Sequence, residues 1–412
     1  MLFSYKRIWK PIIFLVLLNY AFSESSKYLQ MSAEMEKPFK NYVEACRQGQ
    51  LLQKRKMDKY DYPKITLVIP MHNEESNIFS VIRSIENQSF QELEIICIND
   101  NSNDKTLAVL KSLQKEDSRI RIFTNKKNRG ILYNRMSGAL KSTGQYVAFI
   151  DPADCFSNIN ILDKVFNLAI KDIRERIELV HYQTCGSEIL KNGVMGPFQI
   201  FNTYNTNNFE QVIRQPIVGL NYMQKGKNIT GSTFAFDKLY SKDLINRMAD
   251  YIGPHIWNQN LEYNTDFLIA FASMKVTRSI VNTGEIGCYH LIDNSTDSIK
   301  DFEITGDRLK YPEKANKYLG DYLIILERMI ELTDNEPLTE EFRASILSEL
   351  DNNKYIPALA RSVHYVKFLS LLEKCYKWKH NSNETKNQIR RLIKNVLSFK
   401  VDSEKKIAYL FK

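Results

Sequence analysis

The chain has 412 residues, of which 43% are apolar and 25% charged, a balance typical of a globular protein rather than of a disordered or polytopic membrane chain. The counts of 15 Gly and 11 Pro exclude a collagen-like or linker-dominated chain. The formal net charge is +9, and residues 361–412 carry 13 Lys or Arg against four acidic residues, so the rest of the chain is neutral overall. Because the basic residues of this segment alternate with apolar ones, we interpret them as solvated helix faces and expect no nucleic-acid partner.

Residues 1–23 have the three parts of a secretory signal. Three basic residues within the first ten precede an apolar run over residues 12–22, and Ala21 and Ser23 occupy the small-residue positions before a cleavage site. The run is shorter than the roughly 20 residues that a spanning helix needs. We therefore expect a signal peptide and a protein that is secreted or resides in the lumen of the ER or Golgi. The alternative is an uncleaved signal-anchor, which would make a type II membrane protein.

Residues 24–62 are polar and rich in Lys, Glu and Gln, and we interpret them as a helical or loose stem. Six cysteines follow one another at long intervals without a CxxC pair, which argues against a zinc site. In a secretory chain some of them could form disulfides. Cys97 lies inside an apolar run, and it is predicted to be a buried thiol.

From residue 64 short runs of β-branched and aliphatic residues alternate with apolar residues at helical spacing, which predicts alternating strands and helices. The predicted elements are a strand over 65–69, a helix over 78–85, a strand over 93–98, a helix over 107–113, a strand over 120–123, a helix over 132–140 and a strand over 146–150. This alternation predicts a parallel sheet covered by helices on both faces.

Polar residues cluster directly after each of these four strands, at residues 71–75, 99–102, 125–130 and 151–154. Ligands of open α/β sheets bind at the carboxyl ends of the strands, so the four clusters predict one site at that edge. No Gly-rich phosphate loop follows any strand, which argues against dinucleotide redox chemistry, P-loop phosphoryl transfer and nucleotidyl transfer. Carboxylates at such an edge commonly hold a divalent metal that in turn holds a diphosphate.

Two stretches carry a resemblance to a known family. Residues 65–104 read as a strand, the motif P-x-x-N-E-E, a helix, a strand and an acidic turn, and residues 128–154 as a Gly-and-Arg segment and an aspartate loop. Together they resemble family 2 glycosyltransferases of the GT-A fold, strongly over 64–156 and weakly to about residue 300. The resemblance implies a Rossmann-like, mostly parallel α/β domain over 63–300, followed by a basic helical region over 301–412.

The function implied by the resemblance is hexosyl transfer from a nucleoside-diphosphate donor, usually a UDP-sugar in this family, to a hydroxyl of a glycan, protein or lipid acceptor. The reaction would invert the anomeric centre, with the help of Mn²⁺ or Mg²⁺. The alternative is a non-catalytic relative that binds a nucleotide-sugar, a glycan or a protein partner.

The resemblance also assigns six residues to the nucleotide-sugar site. Asp100 matches the position that bonds the uracil, although it could instead cap the following helix. Arg135 matches a helix arginine that helps to neutralise the diphosphate, although it could be an ordinary surface arginine. The other four positions are Pro70, His72, Glu74 and Asp151.

The implied metal ligands are Asp151, Asp154 and His290, but the metal loop departs from the family pattern. Ala153 replaces the carboxylate that usually coordinates the cation, and a methyl group cannot coordinate a metal. Either Asp154 takes over the ligand role, or metal binding is weak. His290 matches a late histidine on the metal or diphosphate, and the alternative is a structural histidine.

Asp266 precedes the apolar stretch 267–274 and matches the general base that takes the proton of the acceptor hydroxyl. The alternative is that it caps a helix. Thr265 replaces the acid that often precedes this base. Residues 231–240 resemble the acceptor-side strand of the family, with Phe236 in its aromatic position.

The region from residue 301 to residue 412 is predicted to be helical. Its apolar spacing indicates one amphipathic helix around residues 322–330 and another over 356–372.

Overall fold

The computed structural model describes residues 33–52, 59–171, 176–188, 195, 199–200, 213–214, 221–224, 227–230, 234–292, 304–305, 308–309, 311–334, 358–360, 362–377 and 383–398. The chain divides into two compact units, one over Tyr28–Asn294 and one over Ser295–Lys412 together with Met1–Lys27. The expected signal peptide over 1–23 lies outside the described residues.

Helix α1 (Ala33–Arg47) lies in the predicted stem but is part of the larger unit. Its Val43 packs in a buried apolar cluster with Tyr289, and its Cys46 packs with Cys155. Part of the segment interpreted as a helical or loose stem is thus a helix, and one face of this helix is buried against the strands of the domain.

The first half of the larger unit alternates strands and helices as predicted. Its elements are β1 (Ile65–Met71), α2 (Ile78–Glu86), β2 (Leu93–Asn99), α3 (Thr106–Glu116), β3 (Ile120–Thr124), α4 (Ile131–Lys141) and β4 (Tyr146–Phe149). The strands lie in the order β3-β2-β1-β4, and all pairs are parallel. Every residue of β1 and β2 is buried, as expected for a parallel sheet covered on both faces. The seven predicted elements are confirmed to within three residues at their ends.

The second half makes the sheet mixed. Its elements are β5 (Cys155–Phe156), α5 (Ile161–Ala169), β6 (Leu179–Glu188), β7 (Gln199–Ile200), β8 (Ile213–Arg214), β9 (Asn221–Gln224), β10 (Lys227–Thr230), β11 (Lys238–Ser241), α6 (Lys242–Ile252), α7 (Pro254–Trp257), α8 (Thr265–Val276) and β12 (Ser279–Ile292). Beyond β4 the order is β11-β6-β12-β5, with β11 antiparallel to both neighbours and β12 parallel to β6. The parallel pattern therefore holds for the first four strands and changes at β11.

Two glycines set the position of helix α4, which carries Arg135. Gly130 precedes the helix with φ +80°, and a Cβ there would lie 2.6 Å from the carbonyl oxygen of Leu261. Gly138 lies over β1, where a Cβ would lie 2.5 Å from a methyl group of Val68. Neither position has room for a side chain, so the helix sits close to the sheet and to the loop before α8.

All six cysteines belong to the described residues, and each is a buried thiol outside any disulfide. Cys97 is fully buried in β2, and burial raises the pKa of its thiol far above the ordinary value. The prediction of a buried thiol is confirmed there. The disulfides that a secretory chain could form are absent among these six residues.

The smaller unit contains β13 (Ile304–Thr305), β14 (Arg308–Leu309), α9 (Pro312–Asp334), α10 (Tyr365–Tyr376) and α11 (Asn383–Ser398). Helix α9 confirms the helix predicted around 322–330. The continuous helix predicted over 356–372 is wrong, because α10 begins only at Tyr365. The Ser362 hydroxyl donates to the carbonyl oxygen of Leu359 at 2.8 Å. Asn316 on α9 contacts Val363 and His364, the two residues directly before α10. Among the described residues, no helix is both long and apolar enough to cross a membrane.

Candidate active site

The predicted site residues lie in linked groups around the carboxyl edge of the sheet. Asp100 follows β2, and Asp151 and Asp154 follow β4, as the topology requires. Arg135 comes from α4, whereas Asp266 and His290 come from α8 and β12 in the second half of the domain. The last two assignments depended on the family resemblance alone, and the structure joins both residues to the same edge through the contacts below.

Arg135 bridges two of the predicted carboxylates. Its Nη2 donates to both oxygens of Asp151 at 2.8 and 2.9 Å, and its Nη1 donates to Asp266 Oδ2 at 2.8 Å. The arginine side chain is 1% exposed, whereas the two carboxylates are 24% and 25% exposed. Burial alone would lower the pKa of Arg135, but Asp151 and Asp266 outweigh it and raise that pKa. Arg135 is therefore a permanently charged, buried link, and the interpretation as an ordinary surface arginine is wrong.

Asp266 lies in the first turn of α8 and has both carboxylate oxygens engaged. Its Oδ1 accepts from the backbone N–H of Ala235 at 2.9 Å, and its Oδ2 accepts from Arg135. The residue at the helix N-cap is Asn264, with φ +58°, so the alternative in which Asp266 caps the helix is wrong. The two bonds orient a carboxylate that keeps a quarter of its surface exposed, which suits a general base.

Asp154 and His290 form a second group. Asp154 is fully buried, and its Oδ1 lies 2.7 Å from Nδ1 of His290. The imidazole ring stacks on Phe236 with the ring centroids 5.4 Å apart and an interplanar angle of 17°. Burial alone would lower the pKa of His290, but the Asp154 charge outweighs it and raises that pKa. The imidazole is thereby fixed between a carboxylate and an aromatic face.

These donors do not fit the divalent cation that the resemblance implies. Both oxygens of Asp151 accept from Arg135, residue 153 offers only a methyl group, and the side chain of Asp154 is 0% exposed. Oδ2 of Asp154 is buried without a hydrogen-bond partner, but a cation there would lack the six or more oxygen ligands that Mg²⁺ or Ca²⁺ takes. Within the part of the chain that the structure describes, no three His, Cys, Asp or Glu residues are grouped to hold a metal. This geometry therefore disfavours the alternative in which Asp154 takes over the metal-ligand role of the carboxylate that Ala153 replaces.

Asp100 organises the loop that precedes helix α4. It is 2% exposed, and its carboxylate accepts from Asn125 Nδ2 at 2.7 Å and from the backbone N–H groups of Arg129 and Gly130 at 2.9 and 3.0 Å. Helix α3, the helix that follows Asp100 in the chain, begins after Lys105, and its first N–H, that of Thr106, donates to Asp104 rather than to Asp100, so the helix-capping alternative is wrong. The uracil-binding role of Asp100 stays a prediction.

The remaining predicted nucleotide-site residues lie along β1 and just after it. Pro70 is buried in β1 opposite Ile98 of β2, and His72 follows the strand with Nδ1 2.8 Å from the carbonyl oxygen of Asp100. Glu74 is partly buried, and burial raises the pKa of its carboxyl. His72 thus ties the end of β1 to the Asp100 loop, which places both segments at one edge.

Sequence reasoning missed a polar cluster beneath Asp266. His181 on β6 lies 3.1 Å from Asp237, which is paired with its neighbour Lys238, and all three side chains are 0% exposed. The adjacent Asp and Lys were visible in the acceptor-side stretch. Their histidine partner lies more than fifty residues earlier, and nothing in its local sequence marks it.

The fold and the candidate site define a class of protein: an open α/β domain that gathers carboxylates, an arginine and a histidine at the carboxyl edge of its sheet. Residues 66–215, a little over a third of the chain, match the family model described as glycosyl transferase family 2.

Curated relatives match part of this region. The chain is 39% identical over 93 residues to the GalNAc(5)-diNAcBac-PP-undecaprenol beta-1,3-glucosyltransferase of Campylobacter jejuni, which covers 22% of this chain and 30% of that protein. It is 32% identical over 110 residues to an uncharacterised glycosyltransferase of Haemophilus influenzae, which covers 27% of this chain and 44% of that protein. The chain thus spans less than half the length of these relatives.

Solved structures match a larger part of the chain. S. aureus TarS 1–349 has a TM-score of 0.51 at 14% identity, covering 84% of this chain and 91% of that one. The same TarS fragment in complex with UDP has a TM-score of 0.52 at 14% identity, covering 84% and 87%. At this identity the likeness concerns the fold alone, and the expected GT-A fold is confirmed.

Proposed function

We propose that the protein is a glycosyltransferase that moves a sugar, a hexosyl group, from a UDP-linked donor to an acceptor hydroxyl with inversion. The observation that carries the proposal is the Asp151–Arg135–Asp266 bridge, because it joins the predicted donor loop to the predicted base at the edge of a family 2 domain.

The donor half of the proposal rests on the residues around β1, β2 and α4. Asp100, His72 and Glu74 gather at the ends of β1 and β2, where a nucleotide would bind in an open α/β sheet. TarS, whose fold this domain shares, has been crystallised with UDP and with UDP-GlcNAc. A uridine donor is therefore the first choice for this chain.

In the proposed reaction Asp266 takes the proton of the acceptor hydroxyl as that oxygen attacks the anomeric carbon. The new carbon–oxygen bond forms on the face opposite the diphosphate, the old bond breaks, and its electron pair leaves with UDP. A positioned general base contributes about 10²- to 10⁴-fold to a rate. Ala235 and Arg135 hold the Asp266 carboxylate in one orientation for this task.

Arg135 also prepares the edge for an anionic donor. Without its charge, Asp151 and Asp266 would present two negative charges to the incoming diphosphate. One buried guanidinium offsets half of that charge through three hydrogen bonds. Because the donor set does not fit a divalent cation, the proposal assigns this charge compensation to the chain itself.

The test is UDP binding followed by turnover on the full chain. Calorimetry should show UDP binding, and a panel of UDP-sugars with glycan, protein and lipid-linked acceptors should show UDP release with one donor. A lipid-linked acceptor belongs in the panel because the Campylobacter relative is named for one. Absence of UDP binding under all conditions would refute the proposal.

The second candidate function is a non-catalytic domain that binds a nucleotide-sugar, a glycan or a protein partner. Ala153 and the closed Asp154–His290 group favour it, since both remove carboxylate oxygens that a cation would need. UDP binding without release from any donor and acceptor pair would favour this candidate over the first.

We further propose a secretory location for the protein, on the sequence of residues 1–23. Protease protection of the tagged chain in microsomes tests it, and carbonate extraction distinguishes a cleaved signal from a signal-anchor. A chain recovered wholly in the cytosolic fraction would contradict it.

A further inference from the structure

Three ionisable side chains lie fully buried beneath the candidate active site, and we call them the buried triad: His181 of β6, Asp237, and Lys238 of β11. Asp237 bridges the other two. Its Oδ2 lies 3.1 Å from His181 Nε2, and its Oδ1 accepts from Lys238 Nζ at 2.6 Å. His181 Nδ1 lies 3.0 Å from Asn282 of β12, so the triad joins three adjacent strands of the sheet.

Stability alone does not account for such a cluster. Removing charges from water costs several kcal/mol per ion, and replacing a buried ion pair by apolar side chains is often neutral or stabilising. Burial alone would raise the pKa of Asp237, but Lys238 outweighs it and the pKa of Asp237 is lowered, whereas burial lowers the pKa of Lys238. The domain thus keeps a hydrogen-bonded Asp–Lys pair in its interior, at a desolvation cost that calls for a role.

Lys238 of the triad contacts the turn over residues 234–237, which leads into β11. Four successive carbonyl oxygens of this turn are held by donors from β6 and β11. Lys238 Nζ donates to the carbonyl oxygen of Phe234, and the Tyr240 hydroxyl donates to that of Ala235 at 2.9 Å. The Tyr182 hydroxyl donates to the carbonyl oxygen of Phe236 at 2.7 Å, and the Tyr182 N–H donates to that of Asp237 at 3.1 Å. The backbone of the turn therefore has little freedom to move.

The other side of the same turn contacts the candidate active site. The N–H of Ala235 donates to Asp266 Oδ1 at 2.9 Å, and the ring of Phe236 stacks on His290. A displacement of the turn would move the donor that orients the proposed base and the aromatic face behind the imidazole.

We propose that Lys238 and Asp237 are positioning residues: the buried triad fixes the 234–237 turn, and the turn holds the Asp266 carboxylate and the His290 ring in place. Lys238 and Asp237 are fully buried, so they act through the turn rather than on a substrate. The part that concerns turnover rests on the proposed function, because it assumes that Asp266 is the base.

The direct test is hydrogen exchange in the Lys238→Met variant of the full chain, read by mass spectrometry. Methionine keeps an unbranched apolar chain but removes the charge and the bond to Phe234 O. Exchange of the peptide that covers residues 234–237 should quicken by about tenfold or more, whereas exchange in β1 should stay unchanged.

The matched control is Arg119→Met. Arg119 pairs with Asp117 at 2.8 Å, and both side chains are 0% exposed, but this pair lies at the start of β3, which three strands separate from β11 in the sheet. The control should lose stability without quickening exchange over 234–237. Equal exchange of that peptide in wild type and Lys238→Met would overturn the proposal, whether or not the protein turns over a donor.

The double variant Lys238→Met/Asp237→Asn separates positioning from stability. It leaves no unpaired buried charge, so the stability lost in Lys238→Met should largely return. The kcat of UDP release should stay at least about tenfold below wild type, with the affinity for UDP within about threefold. Recovery of kcat together with stability would overturn the positioning role. A wild type that binds no UDP would instead count against the proposed function, and the exchange experiment would still decide the role of the triad.

Discussion

Replacement of Arg135 by methionine is the perturbation for which the structure predicts the largest loss at the candidate site. The change removes three charge-assisted hydrogen bonds and leaves Asp151 and Asp266 without their counter-charge. Breaking a buried ion pair by removing one partner costs about 3–5 kcal/mol. Since both carboxylates are about a quarter exposed and keep some hydration, we expect a value near the lower end, about 3 kcal/mol.

The assay is urea unfolding of the full chain, supported by thermal melts. A loss of about 3 kcal/mol corresponds to a fall in the melting temperature of about 6–12 °C for a unit of this size. The loss should shrink as the pH falls from 8 to 5. Burial already raises the pKa of Asp151, and without Arg135 this carboxyl will take up a proton more readily in the folded state.

The matched control is Arg121→Met, because Arg121 pairs with Glu94 but is 37% exposed. A partly exposed pair of this kind is worth about 1 kcal/mol or less. If Arg135→Met costs no more than the control, or if its loss does not depend on pH, Arg135 is not the buried link described here and the reasoning fails.

The remaining predictions concern the cation, the base and acid stability. The affinity of the wild type for UDP should change by less than about threefold between Mn²⁺ and EDTA, whereas the affinity of Ala153→Asp should rise about tenfold with Mn²⁺. A strong Mn²⁺ dependence of the wild type would contradict the conclusion that the carboxylates of this site do not fit a divalent cation. Asp266→Asn should lower kcat by about 10²- to 10⁴-fold and leave UDP affinity nearly unchanged, and full activity would remove Asp266 as the base. Burial lowers the pKa of His181 below its ordinary 6.5. Below about pH 6.5 the unfolded chain therefore binds a proton at His181 that the folded chain does not bind, and the free energy of unfolding falls with the pH. Urea unfolding at pH 7 and 5 should therefore show a smaller acid loss in His181→Asn than in wild type, and an equal loss would contradict this sign.

The first half of the domain was predictable because each element has a local signal. Strands β1 and β2 are unbroken apolar runs, and each helix repeats apolar residues every three or four positions. The rule that ligands bind at strand carboxyl ends then located Asp100 and Asp151 before any contact was known.

The contacts within the site were not predictable, because they join residues far apart in the chain. Arg135 was expected to face a diphosphate, but it pairs with Asp266, which lies 131 positions later. His181 on β6 pairs with Asp237, which directly precedes the neighbouring strand β11, and no local pattern near either residue predicts the contact. A residue type at a motif position predicts what chemistry is available, but its partners depend on packing.

The break before α10 is the opposite case, because there a local pattern predicts a helix that the structure does not form as one continuous element. Apolar residues continue at helical spacing through residues 356–372, so periodicity predicts one helix. Ser362 binds back to the carbonyl of Leu359, and the ring of His364 lies 2.8 Å from the backbone oxygen of Asn316. Val363 and Val366 are consequently 77% and 73% exposed, although they belong to the apolar pattern.

The edge built around Arg135, Asp151 and Asp266 is proposed to transfer a sugar from a UDP-linked donor. We would first measure UDP release by the full chain from UDP-sugars paired with glycan, protein and lipid-linked acceptors, with Mn²⁺ and with EDTA, beside the Asp266→Asn variant. We expect release from one donor in both conditions and its loss in Asp266→Asn. UDP binding without release from any donor and acceptor pair, or release that Asp266→Asn does not reduce, would contradict the proposed transfer.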